Sequence, residues 1–142
     1  RKVEFNDFIK PICLPIPEDF QTNNFVNEET VLARWKDGPR LHDHHLRVIE
    51  LDECRQNLTS SGITFGNHKK QLCASTPGTN LCRVDAGSPL MIKRRYTENP
   101  KIYVLGMLSE EFSHCSVEGS PTVYIRISEY LPWILDNIEL DT

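Results

Sequence analysis

Short apolar runs, each closed off by turn-forming residues, set the first limit on how this chain folds. In Thr122 to Ile127, Val123, Ile125 and Ile127 alternate with Thr122, Tyr124 and Arg126. A repeat of two places one set of side chains inward, as on a β-strand. Tyr103 to Leu108 is apolar throughout, the pattern of a buried strand. Val31 to Trp35, His45 to Leu51, Gln71 to Ala74 and Leu90 to Ile92 read as further strands. Two helices are expected beside them. Asp52 is placed to cap one that carries Cys54. The other follows Ser128, where Leu131, Ile134, Leu135 and Ile138 fall on one stripe. Pro132 then belongs in the first turn, where its missing N–H does least harm. The stretch Pro17 to Glu29 is polar and Asn-rich and reads as a surface connection. An all-β domain follows, and 142 residues suit one domain.

Charge and cysteine content narrow the function classes. The net charge is −4, and no basic face argues for nucleic acid as a partner. No apolar run approaches the roughly 20 residues of a membrane helix. Five cysteines leave one over after pairing. Disulfides imply an oxidising, extracellular setting. Asn57-Leu58-Thr59 is an N-glycosylation sequon and agrees with secretion.

The run Asn80-Leu81-Cys82-Arg83-Val84-Asp85-Ala86-Gly87-Ser88-Pro89-Leu90 resembles the nucleophile loop of trypsin-like serine proteases, D-S-C-Q-G-D-S-G-G-P-L. Phe5 to Pro15 resembles the crossover between the two barrels of that family. Gln71-Leu72-Cys73-Ala74-Ser75 resembles its Q-L-C-A-G segment, and Leu105-Gly106-Met107-Leu108-Ser109 its G-I-V-S strand. Pro121 to Ser128 with Tyr130, Trp133 and Ile134 resembles its ending. The resemblance implies the second antiparallel β-barrel of a chymotrypsin-like double barrel, closed by a C-terminal helix. Nothing in the chain resembles I-V-G-G, the A-A-H-C block or D-I-A-L. Residues 1–142 are therefore expected to be the C-terminal portion of a trypsin-like domain whose first barrel is absent from this chain. The resemblance also pairs Cys54 with Cys73 and Cys82 with Cys115. Each bridge closes a loop of roughly 20–35 residues, worth about 3–4 kcal/mol in the chain-entropy model. For Cys13 two readings stand: a disulfide to an upstream half or regulatory domain, or a buried free thiol.

At the position of the nucleophilic serine the chain has Ala86, whose methyl carries no lone pair. Its neighbours depart as well. An oxyanion donor must aim its N–H at the developing charge, and the glycine that does so in the family is Val84 here, a branched residue that restricts the backbone. The aspartate at the base of the specificity pocket is Asn80. After Ser109 the family has Trp-Gly and this chain has Glu110-Glu111, whose carboxylates are too costly to bury unpaired. Thr122 replaces a glycine of the pocket wall and is expected to point into it. The family's G-W-G reads Arg34-Trp35-Lys36, so that loop is expected to take a different path. Asp85 is retained. It reads either as a surviving partner for a new amino terminus or as a buried carboxylate satisfied locally. Ser88 follows Gly87 and is expected to project away from the nucleophile position. Arg83 has the charge to pair with Glu110 or Glu111 and plug the cleft.

Other polar clusters have plainer readings. His42-Asp43-His44-His45, Lys93-Arg94-Arg95 and His68-Lys69-Lys70 are expected to be solvated loops, and neither metal nor cofactor is implied. The resemblance points to an inactive serine protease homologue of the arthropod type. Such proteins are secreted binding or regulatory cofactors in extracellular proteolytic cascades, including innate immune ones, with other cascade proteases or their substrates as partners. The competing reading is an endopeptidase into which Ala86 was introduced. A third reading makes the chain a half-domain stable only with its other half.

Overall fold

The computed structural model describes residues 1–35, 38–59, 68–75, 86–109 and 121–139, with the side chains of 57–59 and 68 outside that description. Six strands form a closed antiparallel barrel: β1 (Glu29–Trp35), β2 (Leu41–Ile49), β3 (Gln71–Ser75), β4 (Pro89–Arg94), β5 (Lys101–Leu108) and β6 (Thr122–Arg126). Their order around the barrel is β1-β2-β3-β6-β5-β4, and β1 closes the ring on β4 through Val31 beside Met91 and Leu32 beside Leu90. Helices α1 (Asp19–Thr22), α2 (Leu51–Thr59) and α3 (Leu131–Asn137) flank it. The all-β barrel with its C-terminal helix is the architecture expected from the sequence.

Alternation fills the interior. On β1, Thr30, Leu32 and Arg34 are buried while their neighbours are not. Leu46, Val48, Leu72, Ala74, Leu90, Ile92, Leu105 and Tyr124 complete the main core. Strands β3 and β6 are buried on consecutive residues. Their second face carries Cys73 and Val123, which pack with Cys54, Ile49 and Leu51 under α2. The disulfide Cys54–Cys73 joins helix to strand there. Gly106 sits where β5 packs tightly against β6. A Cβ at that position would lie 3.0 Å from Tyr124 Cβ and 3.2 Å from the Ile125 carbonyl oxygen.

Several local expectations are corrected. The polar stretch from Pro17 to Glu29 is no mere surface connection, because Phe20 and Phe25 in it are fully buried. They form part of the main core. Phe25 sits at φ 59, a conformation a bulky residue adopts only where its surroundings impose it. Asn23 Oδ1 accepts the Phe25 N–H at 2.7 Å. Asp52 does not cap α2: the helix starts at Leu51, and the Cys54 N–H donates to the Glu50 carbonyl. On the C-terminal stripe only Leu131 is buried, while Leu135 and Ile138 are exposed and the helix ends before Ile138. His42 to His45 lie on β2 rather than in a loop. Lys93 and Arg94 belong to β4, and His68–Lys70 is a single 3₁₀ turn.

Candidate functional site

The antiparallel order brings one end of each strand to a common rim. This rim holds the ends of β1, β3 and β5 and the starts of β2, β4 and β6, so Arg34, Ser75, Ser109, Pro89 and Thr122 all approach it. The turn before β4 carries Ala86, Gly87 and Ser88. Gly87 has φ +88, a left-handed geometry that glycine takes without the Cβ penalty. The Gly87 N–H donates to the Leu108 carbonyl at 2.9 Å, and the Leu108 N–H donates to the Ser88 carbonyl at 3.0 Å. These two bonds fasten the turn to the end of β5. Ala86 is exposed on it, and its methyl offers neither a nucleophile nor a proton.

Two polar pairs lie inside the barrel toward the same rim. Thr122 is buried. Its hydroxyl lies 2.7 Å from the Tyr124 hydroxyl and 3.5 Å from the Ala74 carbonyl oxygen. Burial pushes the Tyr124 phenol up to about 12, and the Thr122 hydrogen bond pulls the other way. Arg34 is 5% exposed, and its Nε donates to His44 Nε2 at 3.0 Å. Guanidinium can only donate, so the imidazole nitrogen is the acceptor of this bond. His44 lies opposite Leu32 on β1, which puts it within reach of the inward-facing Arg34. The sequence reading missed this pair. Arg34 sits two residues beyond Leu32 on an inward-facing row, but placing His44 against it requires the β1–β2 register. At the family's G-W-G position the chain is strand as far as Trp35, as the strand reading of Val31 to Trp35 has it, and Lys36 lies outside the described residues.

The histidine cluster divides. His45 Nε2 lies 3.9 Å from Asp43 Oδ2, both exposed, while His44 turns to Arg34. Among the described residues no group of three or more ligating side chains is placed to hold a metal ion. Asn80, Val84, Asp85, Glu110, Glu111, Arg83, Cys82 and Cys115 lie outside the described residues, as does the side chain of Asn57. Of the expected pocket residues, Ser109 and Thr122 are described and stand at the same rim. Cys13 is half-buried and bonds no described cysteine of this chain. Its N–H donates to the Ile102 carbonyl and its carbonyl accepts the Val104 N–H, both at 3.0 Å. It therefore extends β5's pairing as a single parallel bridge.

The far end of the barrel is built differently. Phe20 packs 5.4 Å from Phe25 and 5.1 Å from Tyr103, ring centre to ring centre. The guanidinium groups of Arg94 and Arg126 lie 5.2 and 5.6 Å from the Phe25 ring centre, close enough for cation–π attraction. Arg94 pairs with Glu28, and Arg126 donates to the Phe20 and Asn23 carbonyls.

The trypsin family model matches residues 1–134. Melanization protease 1 of Drosophila melanogaster is 32% identical over 96% of this chain and 36% of its own length. CLIP domain-containing serine protease HP8 of Bombyx mori is 31% identical over 98% of this chain and 38% of its own. The chain thus spans little more than a third of the length of these relatives. In fold it is similar to the crystal structure of the Drosophila Grass clip serine protease of the Toll pathway, with a TM-score of 0.75 at 23% identity. That likeness covers 100% of this chain and 42% of the other.

Proposed function

The chain belongs to the trypsin family, and on that footing we propose that it is a catalytically inactive serine protease homologue. It acts as a secreted binding or regulatory component of an extracellular protease cascade. One observation carries the reading: Ala86 occupies the nucleophile's place in the family's loop. In a serine protease, losing that nucleophile costs about a factor of 10⁶ in kcat, or roughly 8 kcal/mol of barrier. The substitutions at Val84, Asn80, Glu110, Glu111 and Thr122 favour a site altered throughout over one residue exchanged alone. Asp85 survives beside them as the residue to which a cleaved amino terminus binds in active members.

The rest of the reading concerns partners. Cys13 is proposed to bond an upstream half or regulatory domain, and Asn57 to carry a glycan. The exposed apolar side chains of Phe5, Phe8, Trp133 and Leu135 favour a first barrel packed against this one in the whole protein. Other cascade proteases or their substrates are the proposed protein partners.

Changing Ala86→Ser in the whole secreted protein and exposing it to a fluorophosphonate probe tests the proposal. The expected result is no covalent labelling in a protein shown to be folded. Labelling would mean that base and oxyanion hole are intact, and would return the chain to the endopeptidases.

A further inference from the structure

The outer face of the β4–β5 hairpin bears a groove that the protease site does not use. Its cavity of about 740 Å³ is lined by the residues from Lys10 to Cys13, by Met91 and Lys93 of β4, and by Pro100, Lys101 and Ile102. The floor is apolar: Pro11, Ile12, Met91, Pro100 and Ile102. The rim is cationic, with Lys10, Lys93 and Lys101 and no acidic residue among the described lining. All three lysines are exposed, and Ile12 and Ile102 are 42% and 44% exposed. This stands out in a chain of net charge −4. Beyond Met91 and Lys93 lies a second hollow, which holds Glu28 and Glu29. Arg94 neutralises Glu28 there.

We propose that this groove binds an extended, acid-rich segment of a partner protein that also carries apolar side chains. Charge complementarity selects the acidic character and speeds encounter. The apolar floor selects polypeptide over sulfated polysaccharide, which has no hydrocarbon side chains to cover Met91 and Ile102. The segment is held by side-chain contacts with the apolar floor and the lysines of the rim. Its acidic positions lie over the rim lysines Lys10, Lys93 and Lys101.

The test titrates the whole protein with a fluorescein-labelled peptide of alternating glutamate and valine. K93E/K101E and I102S variants are run beside it, each shown to unfold cooperatively. The three changed positions, Lys93, Lys101 and Ile102, are all exposed, so folding is expected to survive. Charge reversal is expected to weaken binding about tenfold, equivalent to about 1.4 kcal/mol. I102S is expected to weaken it about threefold, and raising NaCl from about 50 to about 300 mM to weaken it further. No binding, or equal binding by both variants, overturns the proposal. So does a heparin oligosaccharide whose binding is lost in K93E/K101E but untouched by I102S, which makes the surface a polyanion site. Peptide binding that appears only after reduction of Cys13 also overturns it, because the protein's own upstream segment then fills the groove.

Discussion

The two ends of the barrel are filled on opposite principles. At the far end, Phe20, Phe25 and Tyr103 pack ring against ring, and Arg94 and Arg126 flank Phe25. The guanidinium groups are tied to Glu28 and to backbone carbonyls, so each charge has a partner. At the rim with Ala86 the interior instead holds polar pairs, Arg34 with His44 and Thr122 with Tyr124. Aromatic packing resists change because each ring is fixed by several neighbours. A polar pair depends on one or two hydrogen bonds. The sealed end is therefore expected to carry the larger share of the stability.

The strongest way to break this comparison is to empty the sealed end. Phe20→Ala is expected to destabilise the protein by about 3–5 kcal/mol, read by urea unfolding. A loss under about 1 kcal/mol would remove the distinction between the ends. At the rim, alkaline pH probes the Tyr124 phenol. Its folded pKa is raised to about 12, and an exposed tyrosine ionises near about 10. The unfolded chain thus releases the proton first, and stability present below about pH 10 is lost as pH rises toward about 12. Tyr124→Phe should flatten that fall in a plot of unfolding free energy against pH. An unchanged slope would refute the assignment. Smallest is the double change Arg34→Met with His44→Leu, which replaces both members of the pair by apolar side chains. Removing both partners together is close to neutral, so a change below about 1 kcal/mol is expected in the same urea experiment. A loss as large as that of Phe20→Ala would show that the rim is as tightly built as the sealed end.

The barrel was legible because strand alternation and several ordered family segments agree. Strand ends slipped by one to four residues, and β2 starts at Leu41 rather than His45. The histidines and Asp43 hid it, since their polarity reads as loop until Leu41 is seen paired with Trp35. Phe20 and Phe25 were hidden by their polar neighbours: a core residue in an irregular segment has no periodicity to betray it. The exposed stripe of α3 erred the other way. Leu135 and Ile138 have helical spacing, yet spacing says only that a face is apolar, not what covers it. Of the candidate site, Ala86, Ser109 and Thr122 could be located by alignment to motifs. The Arg34–His44 pair could not, because it joins two strands whose register is a property of the folded sheet.

The closure of β1 on β4 also sets how the chain reaches its native state. Val31 must find Met91 across the whole span of β2, α2 and β3. Loop-closure entropy is spent before such distant pairings give anything back. Chains dominated by such contacts fold in milliseconds to seconds rather than microseconds. The β1–β2 and β4–β5 hairpins join neighbouring strands and can form early. The seam between them is expected to shut last, and Leu32 and Leu90, which pair across it, are fully buried only once it has.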